Sequence, residues 1–93
     1  MSEISLQEAI QNILKNSRFK NKIQALQIKE MWEELMGKTI ADYTDEIQII
    51  EKKLIITTHM APLKQELVFQ REKIKNRLNE MLNEHAIHEV IIK

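Results

Sequence analysis

Apolar residues recur along this chain with helical spacing in three windows, and two short β-branched runs lie between the second and third. Leu6, Ala9, Ile10, Ile13 and Leu14 fall at i, i+3, i+4, i+7 and i+8, which is one apolar face of a helix. Ser5-Leu6-Gln7-Glu8 precedes that face as a capping box: the Ser5 hydroxyl accepts the Glu8 amide, and the Glu8 carboxylate reaches back. "NSRFKN" (Asn16–Asn21) interrupts the pattern with turn and cap residues. A second helix is predicted from about Lys22 to Met36, with Ala25, Ile28, Trp32, Leu35 and Met36 on one face and Met31 beside it. Gly37 stands just past the last periodic residue, where a helix stop commonly needs positive φ. Ile40, Ala41 and Tyr43 predict one more short helical turn before Thr44.

The period then changes. "EIQII" (Glu46–Ile50) and "LIITT" (Leu54–Thr58) are rich in Ile and Thr and are joined by Glu51-Lys52-Lys53, so they predict an antiparallel hairpin. The connection has neither Gly nor Asn, and its turn type is open. Pro62 suits the first turn of a third helix, about Pro62 to Glu84, whose stripe is Leu63, Leu67, Ile74, Leu78, Met81 and Leu82. "AIHEVIIK" (Ala86–Lys93) closes as a third strand. The predicted order is α-α-β-β-α-β. Each helix has an apolar stripe to bury, so the helices should cover one face of a three-stranded sheet. That is a small α+β two-layer fold, read as a single domain over residues 1–93.

Composition narrows the function. A chain of 93 residues with one Gly and one Pro has little room for irregular loops. It has no Cys, which excludes disulfide, thiolate-metal and cysteine-nucleophile chemistry. Apolar runs are short, as in Leu54–Ile56 and Val90–Ile92, so no membrane span is expected. "MSEISLQEAI" has neither the basic nor the apolar region of a signal peptide, and a cytoplasmic protein is expected. The formal net charge is zero, so global charge argues for neither nucleic acid nor an anionic membrane. Its distribution says more. No acid lies between Glu8 and Glu30, while Lys15, Arg18, Lys20, Lys22 and Lys29 do; Asp42, Asp45, Glu46 and Glu51 form an acidic stretch; Arg71, Lys73, Lys75 and Arg77 are basic again.

Gly37-Lys38-Thr39 resembles the end of a phosphate loop, G-x-x-x-x-G-K-[ST]. Trp32 occupies the place of the first glycine, and the residues before Gly37 are helical where such a loop follows a strand. A helix stop explains this tripeptide better. His85 and His88 have no third or fourth ligand near them in sequence, so no metal is expected, and His85 is read as a structural residue near the end of the third helix. Ser5 is used as a cap, no serine sits in a nucleophile elbow, and no carboxylates pair as acid and base. The expectation is a non-enzyme without cofactor or small-molecule substrate. Lys15, Arg18, Lys20 and Lys22 cluster around Phe19 and could meet phosphates and a stacked base. They could equally form a solvated turn whose Phe19 caps the core. Lys64, Arg71 and Lys75 line one edge of the third helix, either as a second basic site or as ordinary flanks of a buried stripe. Phe69 projects away from that stripe, to contact a partner or to cover the sheet edge.

One stretch carries more than local structure. Trp32-x-x-x-Met36-Gly37-x-x-Ile40-Ala41-x-Tyr43-Thr44 resembles the signature of the DciA family of bacterial proteins. The Ile-rich hairpin follows in the family's order, as does Ala61-Pro62-Leu63-Lys64-Gln65-Glu66-Leu67, whose Glu66-Leu67 match the end of the family's helix-opening motif. The resemblance implies a KH-like domain that acts by contact, as a loader or operator of the DnaB-type replicative helicase, with single-stranded DNA as a further partner. The family often has Gly in the hairpin turn, about where Lys52 stands here. KH domains proper grip nucleic acid through a G-x-x-G loop, which a chain with one Gly cannot form, so any likeness is of fold alone. Two other functions fit the residues: a weak nucleic-acid-binding module that uses the Lys15–Lys22 cluster, and a protein-interaction or dimerisation domain that uses Phe69 and an exposed sheet edge.

Overall fold

The computed structural model describes residues 5–93, apart from the side chains of Ile13, Leu14 and Ser17. It is a mixed α+β fold with one three-stranded sheet. Helix α1 (Leu6–Lys15) and helix α2 (Ser17–Met36) lead to the short helix α3 (Lys38–Asp42). Strands β1 (Glu46–Ile50) and β2 (Lys53–Thr57) form the hairpin, helices α4 (Ala61–Phe69) and α5 (Arg71–Leu82) cross back, and β3 (Glu89–Ile92) ends the sheet.

β2 is central, antiparallel to β1 and parallel to β3. The register sets Ile49 opposite Leu54 and Ile47 opposite Ile56 on one side, and Val90 and Ile92 opposite the same two residues on the other. These side chains share the face that meets the helices, because alternate residues of a strand point the same way. Ile28 and Trp32 of α2, Leu67 of α4, and Ile74 and Leu78 of α5 complete the core, with Ile87 beside them. α2 lies over β1 and α5 over β3. The opposite sheet face carries Gln48, Ile55 and Ile91 in one row.

Four local expectations change. The break after α1 is one residue, not six. Asn16 is extended (φ −77°, ψ 115°), its Oδ1 accepts the Arg18 amide at 2.9 Å, and α2 starts at Ser17. The polar run Ser17–Asn21 is therefore helix, not turn. The single helix expected over Pro62–Glu84 is two. Gln70 sits at φ −97°, ψ 8°, and its amide is shared between the carbonyls of Glu66 (3.3 Å) and Leu67 (3.1 Å), which ends α4 in a tighter turn before α5 begins. α5 ends at Leu82, with Asn83 left-handed at φ 56°, so exposed His85 lies beyond the helix and not on its stripe. Met81, expected on that stripe, is 39% exposed. The hairpin connection is two residues, Glu51 and Lys52, with φ of 49° and 65°. Positive φ at both positions is the pattern of a type I′ turn, whose twist matches that of the strands it joins.

Other features agree with the sequence. Pro62 stands in the first turn of α4. The Ser5 hydroxyl accepts the Glu8 amide at 3.1 Å. Gly37 ends α2 by donating its amide to Glu33 at 2.8 Å, at φ 92° and ψ 160°. That is not the left-handed helical region but the extended positive-φ region that essentially only glycine occupies. It lets α3 leave at once, with Ala41 donating back to the Gly37 carbonyl at 3.0 Å.

Candidate functional site

The signature residues Trp32 to Thr44 build a structural knot. Trp32 is 2% exposed. Its Nε1–H donates to Thr44 Oγ1 at 3.0 Å, and the Thr44 hydroxyl donates to the Ile40 carbonyl at 2.7 Å. One half-buried hydroxyl thus satisfies the indole and ties α2 to α3. The buried Thr58 hydroxyl donates to the Tyr43 carbonyl at 2.7 Å and accepts the Met60 amide at 3.2 Å, which fastens the same corner to the start of α4. Ile40 and Ala41 pack against the core, as does Leu67 from α4. The Tyr43 ring is half exposed, so it does not mirror the buried Trp32. The Gly37-Lys38-Thr39 tripeptide belongs to this corner: Lys38 and Thr39 open α3 and are exposed.

A family model described as "Dna[CI] antecedent, DciA" matches residues 5–92. The chain belongs to the DciA family. Membership implies a role in loading the DnaB-type helicase during DNA replication. No curated protein and no solved structure matches the chain. In this DciA-family fold Trp32 and Thr44 are largely used in packing and internal hydrogen bonds.

An open groove of about 1100 Å³ lies between α2 and β1. Arg18, Lys22 and Lys29 line its helical wall, with Leu26 at the lip and Trp32 at the floor. Asp42, Asp45, Glu46 and Glu51 lie along the strand wall. A basic edge therefore faces an acidic one. The Asp45 carboxylate lies in hydrogen-bond contact with His59, whose Nδ1 is 2.9 Å from Oδ2.

The basic residues named from sequence divide in space. Arg18 and Lys22 share the groove edge of α2. Lys20, two positions from each, falls across the helix, because residues at i and i+2 do not share a face. Lys15 ends α1 outside the groove lining. Phe19 is 49% exposed and does not cap the core. On the other side of the molecule the second group does not open toward a ligand. Arg71 Nε donates to the Val68 carbonyl at 3.1 Å, Lys75 Nζ lies 2.8 Å from Glu72, and Lys64 is exposed on α4. The two basic groups do not converge: α2 covers the β1 side of the sheet and α5 the β3 side. Phe69, at the end of α4, is 86% exposed and does not cover a sheet edge.

Sequence reasoning named Lys73 and Arg77 in a basic run but not as site residues; they flank a smaller hollow of about 180 Å³ against Leu35, Met36 and Ile40. It named Lys29 only within a charge run and missed Ile23 and Leu26 as surface residues. Ile23 is 40% and Leu26 62% exposed. With Phe19 they stand at i, i+4 and i+7, and that spacing was the available signal. Among the described residues no cluster of three or more His, Asp or Glu side chains could hold a metal ion. No helix of the described residues is long and apolar enough to cross a membrane.

Proposed function

We propose that this protein is a non-enzymatic accessory factor of DNA replication that binds the DnaB-type replicative helicase and acts by that contact. The observation that carries the reading is the family match over residues 5–92. The chemistry of the surface supports it. The groove between α2 and β1 sets a basic edge against an acidic one, an arrangement suited to recognising a partner of matching charge. Co-elution with the cognate replicative helicase at micromolar concentration tests the reading, and separate elution of two folded proteins refutes it.

Single-stranded DNA is a second reading, favoured by the alignment of Arg18, Lys22 and Lys29 on one edge of α2. The acidic β1 wall opposite repels phosphate, which confines such binding to low salt. With three cations engaged, the slope of log K against log salt should be about −2. Anisotropy titrations with labelled oligothymidylate measure it, and a flat titration at low salt rules the reading out.

A further inference from the structure

α2 has two apolar faces. Ile28, Trp32 and Leu35 pack on the core. Phe19, Ile23 and Leu26 run along the N-terminal half on the side turned away from it and stay 49%, 40% and 62% exposed. At i, i+4 and i+7 they form one stripe about two turns long. α1 leaves Leu6 and Ile10 exposed as well, at 78% and 47%. Scattered exposed apolar residues are ordinary, but a helical stripe of this kind on a small domain marks a contact site.

The charge around the stripe selects its occupant. Between Glu8 and Glu30 the chain has five basic residues and no acidic one. Lys22 and Lys29 flank the stripe on the groove side and Lys20 on the other. A second copy of this chain would set those cations against their own kind. An anionic membrane would meet Glu30, Glu33 and Glu34, which follow the stripe on the same side of α2 and would be pressed toward the headgroups. Aliphatic Ile23 and Leu26 offer a nucleic acid no ring to stack on. An amphipathic helix of a few turns with acidic flanks satisfies each feature: its apolar edge covers Phe19, Ile23 and Leu26, its carboxylates pair with Lys20 and Lys22, and it can end before Glu30.

We infer that the outer face of α2 is a docking site for an acidic amphipathic helix of a partner protein. This goes beyond the helicase reading, because it holds for whichever protein carries the helix. The test uses the full chain and a synthetic peptide of about 18 residues with Leu at helical spacing and Glu on both flanks, against the same peptide with Lys for Glu. The acidic peptide should bind at least about tenfold more tightly than the basic one and weaken as NaCl rises toward about 0.5 M. Ile23→Ser with Leu26→Ser, both at exposed positions, should reduce that affinity by about tenfold while the circular dichroism spectrum stays unchanged. Equal binding of the two peptides, or an unaffected double variant, overturns the inference. So does binding of phosphatidylglycerol vesicles or oligothymidylate in place of the acidic peptide, or a dimer that Ile23→Ser with Leu26→Ser dissolves.

Discussion

Replacing Gly37 with alanine should destabilise the fold for a reason that has nothing to do with space. A Cβ built on Gly37 meets no atom within 4 Å. The backbone at φ 92° and ψ 160° lies where an L side chain is strained, at a cost of about 1–3 kcal/mol. The strain cannot relax cheaply, because the residue joins two helices: its amide closes α2 on Glu33 and its carbonyl opens α3 for Ala41. A domain of 93 residues has a total stability of roughly 5–14 kcal/mol, so the change removes a substantial fraction. The melting temperature should fall by about 4–8 °C for each kcal/mol lost. Urea unfolding followed by circular dichroism gives the free energy directly, and the m-value should stay constant. Gly37→Leu distinguishes the cause. With open space at the Cβ, leucine should cost about as much as alanine. A loss that climbs steeply from alanine to leucine would mean that packing, not backbone strain, governs the site, and a loss below about 0.5 kcal/mol for alanine would refute the strain argument itself.

Other changes follow from the same geometry. Trp32→Ala should cost about 3–5 kcal/mol in urea unfolding, since the ring is almost fully buried and its removal leaves a cavity and an unused Thr44 hydroxyl. Lys52→Gly should stabilise the hairpin by about 0.5–1 kcal/mol, because the turn needs φ of 65° there and glycine reaches it without a Cβ clash; an unchanged or lower melting temperature would refute that. Asn79→Ala should cost about 1–3 kcal/mol. Its amide donates to the Ile87 carbonyl at 2.8 Å and its Oδ1 accepts the Ile87 amide at 2.9 Å, so both groups of a buried residue lose their partner at once. Asn79→Asp keeps the acceptor and should recover part of the loss.

The elements visible in the sequence were those where one period and one punctuation residue agree. The strand Glu46–Ile50, the stop at Gly37 and the start at Pro62 are of that kind. The breaks that were hidden depend on single residues in otherwise continuous patterns. Asn16 supplies a cap within a polar run, and Gln70 interrupts a helix with no proline or glycine to announce it. The hairpin turn was hidden because Glu51 and Lys52 take positive φ without being glycine or asparagine. The surface was harder to read than the core. Searching for one apolar face per helix found Ile28 and Trp32 but passed over Ile23 and Leu26 and placed Phe19 in a turn, so their repeat on the other side of α2 went unread. Charge runs along the chain grouped Lys20 with Lys22, but a helix separates neighbours that a list of residues joins.

Binding to the cognate replicative helicase is the measurement on which the functional account rests. Wild-type protein mixed with the helicase at micromolar concentration should elute as a complex in size exclusion with light scattering. Trp32→Phe should elute likewise wherever it remains folded, since Trp32 is 2% exposed and offers a partner almost no surface. Two separate peaks from folded wild-type protein and intact helicase would contradict the account.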